Sequence, residues 1–97
     1  MTTIEQIKDK LAKHREELKE RFKVAEIGIF GSYVRKEQKK KSDVDIMVNF
    51  YETIDLFMFV ELADYLSEIL GVKVDLVMKD ALKPRLKERI LSEAVYL

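Results

Sequence analysis

Three short apolar runs constrain this chain more than any other feature: VAEIGIF from Val24 to Phe30, VDIMVNF from Val44 to Phe50, and KVDLVM over 73–78. Each is rich in β-branched residues and has the length of a strand, so three strands are expected. The intervening stretches have helical character. Ile7, Leu11, Leu18 and Phe22 recur at helical spacing, with Thr2 or Thr3 and Glu5 or Gln6 forming a capping box, which predicts one amphipathic helix over 4–22. His14 lies on or beside that stripe and reads as a packing residue.

The first strand stops at Gly31, and Ser32 is a natural N-cap for a short helix over 32–37. Lys39 to Ser42 form a polar connector into the second strand. Thr53 is placed to cap a helix running to Leu70 and ending at Gly71. Phe57 falls on the polar stripe of that helix with Glu61, Asp64 and Glu68, and the expectation is that another element covers it, the alternative being that it awaits a partner. Pro84 opens a last helix with Leu86, Ile90 and Ala94 on one face. The predicted order is α-β-α-β-α-β-α.

Composition narrows the function. Ninety-seven residues fit one domain, 1–97, with room for a single core and little room for a separate substrate-binding lobe. Eighteen basic and 18 acidic side chains give no net charge, so no global field favours nucleic acid or an anionic membrane. The absence of cysteine excludes disulfides, thiolate zinc sites and cysteine nucleophiles. The polar start MTTIEQIKDK and the lack of a long apolar run lead to the expectation of a cytoplasmic protein with no membrane partner.

The chemistry concentrates in GSYVRKEQKKKSDVD, from Gly31 to Asp45. Asp43 and Asp45 are two apart at a strand start, which points both carboxylates to one face. Like charges held so close invite a divalent cation, and their hard oxygens suit magnesium. Asp75 offers a third carboxylate between Val74 and Leu76, in a run too apolar for an acid that only packs. Across the turn, Gly31 leaves room for a ligand and Ser32 opens backbone N–H groups to an anion. A phosphate cradle beside carboxylates matches two-metal phosphoryl or nucleotidyl transfer. Lys36, Lys39, Lys40 and Lys41 read as solvated loop first and as attraction for triphosphate or RNA second.

The Gly-Ser pair, ten residues and Asp-x-Asp resemble the signature of the DNA polymerase beta-like nucleotidyltransferase superfamily, and the short chain resembles its minimal nucleotidyltransferase branch. The segment LGVKVDLVMKDALKPRLKERILSEAVYL is similar to the third-strand and final-helix region of that branch. The resemblance implies an α+β fold, a small mixed three-stranded sheet packed against helices. It implies that Gly31 and Ser32 bind the triphosphate of ATP, that Asp43 and Asp45 ligate two magnesium ions, and that Asp75 is the third catalytic and metal-side carboxylate. It also implies an antitoxin that transfers AMP to a tyrosine hydroxyl of a partner HEPN-type toxin, with nucleic acid not the direct substrate and room for a homo-oligomer. The alternative is a binding module that neutralises its partner by complex formation. Where the family often carries Ala-Arg-Gly, this chain has Val34, Arg35 and Lys36, so the short helix is expected to be lengthened or the loop leading to Asp43 reshaped.

Overall fold

The computed structural model describes residues 3–37 and 43–97, so the lysines at 39–41 and the Ser42 connector lie outside the described residues. Helix α1, Ile4–Lys13, starts from the capping box expected of it: Gln6 N–H donates to Thr3 Oγ1, and Thr3 N–H to Gln6 Oε1. The single helix expected over 4–22 is instead two. His14 Nδ1 donates to the Lys10 carbonyl at 2.7 Å, the acceptor that its own backbone N–H would use in a continuous helix. That N–H turns to the Leu11 carbonyl, and α2 restarts at Arg15–Phe22.

Lys23, left-handed with φ 61°, ends α2 and feeds strand β1, Val24–Phe30. Strand β2 is Val44–Phe50, helix α3 Leu56–Leu70, strand β3 Val74–Met78, helix α4 Pro84–Glu93, and strand β4 Val95–Tyr96. The sheet has the order β3-β2-β1-β4. β1 runs antiparallel to both β2 and β4, whereas β2 and β3 are parallel, with α3 as the crossover between them.

The three expected strands become four. The chain end leaves the helical path at Ala94, and Val95 and Tyr96 pair with Ile29 and Gly28 on the open edge of β1. Two residues are too few to show a period of two, so this strand arises from the free edge and not from a local pattern. The cap of α3 also moves. Asp55 accepts from Met58 N–H at 2.8 Å, and the helix begins at Leu56 and not after Thr53. At its other end Gly71 takes φ 70° and donates to the Ser67 carbonyl, as expected of a left-handed terminus.

One face of the sheet meets α1, α2 and α3. Val44, Ile46 and Val48 of β2 pack there with Ile29 of β1 and with Ile7, Leu11, Phe22, Leu62 and Leu66. Truncating a side chain as deeply buried as Phe22 or Leu62 to alanine costs about 2–5 kcal/mol. On the surface, Tyr65 O–H donates to Glu17 at 2.8 Å and Arg21 bridges Glu17 and Glu61, which ties α2 to α3. Because Val44 and Ile46 point into the core, the strand alternation turns Asp45 and Met47 to the opposite face.

Phe57 is not covered. It is 88% exposed, beside Leu56 at 74% and Val60 at 51%. The apolar stripe of α3 reaches Leu62, Leu66 and Leu70, and Phe57 lies outside it. Among the described residues no helix is long and apolar enough to cross a membrane.

Candidate active site

The last residue of β1, the start of β2 and the start of β3 meet at one end of the sheet. Val44 N–H donates to the Lys73 carbonyl at 2.9 Å, which sets the parallel register of β2 and β3. That register places Asp45 directly beside Asp75, while the antiparallel pairing with β1 sets Phe30 on Asp45's other side. Paired residues on neighbouring strands share a face, so the two carboxylates project together, next to the Gly31 turn.

Gly31 has φ 78°, a conformation that side chains rarely adopt. A Cβ built there would run into the Asp45 carboxylate, with the carboxylate carbon only 2.9 Å away. The glycine is therefore required twice over, by the backbone angle and by the acid packed against it.

Asp45 is half-buried, and Asp43 and Asp75 are exposed. Burial pushes the Asp45 carboxyl above the usual carboxylate range. The negative charges of Asp75 and Asp43 push it further, Arg35 opposes them, and a hydrogen bond with Asp75 adds to the rise. Among the described residues no three acidic or histidine side chains converge in a ready-made metal cage. The donor chemistry nevertheless fits a hard divalent cation, since carboxylate oxygens crowded from adjacent strands gain from a positive charge placed between them.

The segment after Gly31 differs from the helix expected over 32–37. A three-residue 3-10 turn spans Gly31–Tyr33, entered from extended Phe30, and Ser32 lies inside it and not at its cap. Val34 and Arg35 N–H both donate to the Gly31 carbonyl at 3.1 Å, and Glu37 N–H closes on the Ser32 carbonyl at 2.8 Å. Lys36 takes φ 58°, the left-handed angle that a glycine would adopt without strain. The short helix is therefore not lengthened. Lysine occupies the glycine conformation at the end of the turn that follows.

One participant has no signal in the sequence. Glu93, the last residue of α4, accepts from Gly31 N–H at 3.2 Å across a separation of 62 positions. The same carboxylate takes Arg35 Nη1 at 3.0 and 3.2 Å, while Arg35 Nε donates to Glu37 at 3.2 Å. These bonds, to Glu37 first and Glu93 second, hold the guanidinium firmly protonated. Glutamate at the end of an amphipathic helix looks like ordinary surface charge, and only the packing of α4 beside the turn brings it to Gly31.

Carboxylates from two parallel strands, facing a glycine turn at the end of a third, suit phosphoryl chemistry on a nucleotide. That class is given a family by comparison: residues 11–97 match the model of the nucleotidyltransferase domain family. The chain belongs to this family, and it is a nucleotidyltransferase of the minimal branch.

Protein adenylyltransferase MntA of Thermococcus cleftensis is 53% identical over 97 residues, covering all of this chain and 98% of that protein. A Methanocaldococcus jannaschii relative, provisionally named a protein adenylyltransferase, is 56% identical over 98 residues and is covered in full by this chain. Among solved structures, one provisionally described as a minimal nucleotidyltransferase superposes with TM-score 0.77 at 34% identity, covering 94% of this chain and 95% of that one. A toxin–antitoxin structure with AMP-PNP gives 0.73 at 30% identity, over 91% of this chain and 69% of that one. A tri-AMPylated Shewanella oneidensis HEPN toxin in complex with its MNT antitoxin gives 0.68 at 26% identity, over 93% and 70%.

Proposed function

We propose that this chain transfers AMP from ATP to a tyrosine hydroxyl of a partner HEPN-type toxin, and so acts as the antitoxin. The observation that carries this reading is the pairing of Asp45 with Asp75 against the Gly31 turn. It is supported by the adenylyltransferase name of the Thermococcus cleftensis relative and by the AMPylated toxin in the Shewanella complex.

Gly31 and Ser32 would face the triphosphate, and Asp43, Asp45 and Asp75 would hold magnesium. When bound, magnesium neutralises the carboxylates and the triphosphate and polarises the α-phosphate. The acceptor oxygen forms a bond to the α-phosphorus, the bond from that phosphorus to the bridging oxygen breaks, and pyrophosphate leaves. Asp75, the exposed member of the pair, would take the acceptor's proton.

The test is the mass of the cognate toxin before and after incubation with this protein, ATP and magnesium. An increment of one or more AMP groups, absent with the Asp43→Asn, Asp45→Asn double variant, is the expected result. An unchanged mass with the native protein would sink the reading.

A second reading, neutralisation by complex formation alone, is favoured by one observation. Leu56, Phe57 and Val60 are exposed together, and Leu56 also lines an apolar cleft of about 530 Å³ with Ile54, Phe59, Val77, Met78 and Leu82. Under that reading the double aspartate variant still protects cells from the toxin and Phe57→Glu does not. If the double variant binds the toxin but fails to protect, occlusion is excluded.

A further inference from the structure

We infer that Glu93 is an internal anion seated on the donors a triphosphate would use, and that it sets the affinity of the site for nucleotide. The inference rests on the nucleotide-site reading above and goes beyond it. Gly31 N–H points at Glu93 Oε1, and Arg35, whose charge acts on Asp45, gives two hydrogen bonds to the same carboxylate. Glu93 is largely covered there, with 21% of its side chain exposed. A carboxylate that accepts one amide and one guanidinium makes the bonds that a phosphate oxygen would make.

The two anions exclude each other. A phosphate bonded to Gly31 N–H or Arg35 would lie within van der Waals contact of Glu93, beside Asp45 and Asp75, where like charges are already crowded. Entry of the polyanion therefore requires Glu93 to leave, and the observed affinity is the intrinsic one reduced by the fraction of molecules in which it has left. If Glu93 is seated in about nine molecules of ten, binding is weakened roughly tenfold. Glu93 is the last residue of α4, and β4 begins two residues later, paired with Gly28 and Ile29.

The test titrates ATP with magnesium, and separately inorganic tripolyphosphate, into the native protein, Glu93→Gln and Glu93→Ala. Calorimetry reads the affinity and the Gly31 amide resonance reports the turn; thermal melts establish that each variant is folded. Glu93→Gln keeps the shape and loses the charge, so it remains decisive if the alanine variant is unstable. The expected result is binding about five- to tenfold tighter in the variants for both ligands, with the native Gly31 amide shifting on ligand addition. Affinity that is unchanged or weakened by Glu93→Gln overturns the inference and leaves the nucleotide site standing. Absence of binding to native and variant proteins alike overturns the nucleotide-site reading and this inference with it.

Discussion

Asp45 and Asp75 stand side by side across the parallel β2–β3 ladder, one half-buried and one exposed, each raising the electrostatic cost of the other's charge. Such a pair weakens the fold in the absence of a cation, because one strand end must hold repelling charges partly out of water. Replacing Asp45 with asparagine is therefore expected to stabilise the metal-free protein by about 0.5–2 kcal/mol while abolishing toxin labelling. Thermal melts with and without magnesium check this. The native protein should rise on adding magnesium and the variant should not, and a variant less stable than the native protein without metal would contradict the account.

Gly31 faces the same carboxylate from the other side. Gly31→Ala places a methyl group in the space of the Asp45 carboxylate at a backbone angle of 78°. A loss of about 2–4 kcal/mol is expected from the combined overlap and left-handed strain. Urea denaturation of the variant, alone and combined with Asp45→Gly, separates the two causes. The double variant should recover the overlap part of the loss and retain the part due to the backbone angle.

Lys36 presents the opposite case, since it already occupies a glycine conformation at φ 58°. Lys36→Gly removes left-handed strain of about 1–2 kcal/mol against a glycine entropy cost of about 0.5–1, so a small net gain of about 0.5–1 kcal/mol is expected. The denaturation midpoint should move up with an unchanged slope. A fall in the midpoint would mean that the lysine side chain stabilises the turn in some other way.

Tyr65 supplies a pH-dependent term far from the site. Burial first, and its hydrogen bond to Glu17 second, push its phenol up to about 12 from the usual 10. The unfolded chain loses this proton near pH 10 and the folded chain holds it to about 12. The unfolded state therefore binds fewer protons in that window, and stability falls as pH rises through it. Below pH 10 the contribution is fully present. Denaturation curves at pH 9 and pH 11.5 should show a smaller decline for Tyr65→Phe than for the native protein.

Much of this was legible in the chain itself. The β-branched runs marked β1, β2 and β3, the Thr3–Gln6 box marked the start of α1, Gly71 marked the end of α3, and Pro84 marked the start of α4. Each is a local signal, in which a residue's own backbone preference or its neighbours within a turn decide the outcome. The break at His14 was hidden because a ring nitrogen competing for one carbonyl leaves the apolar spacing of Ile7, Leu11 and Leu18 intact. The cap of α3 was ambiguous because Thr53 and Asp55 are both good capping residues.

Of the candidate residues, spacing alone put Asp45 at a strand start and Gly31 at a turn, with Asp43 just ahead of β2. Whether Asp75 joins them depends on the register of β2 against β3, which is set by core packing of Val44 and Val74 and by the Val44–Lys73 hydrogen bond. The seat of Glu93 on Gly31, the fourth strand on the edge of β1 and the exposure of Phe57 likewise come from which surfaces meet after folding. Local sequence determined the elements and the chemical groups, because propensity and periodicity act over a few residues. Tertiary structure decided which groups face one another, because contacts between distant segments depend on register and packing that no short stretch contains.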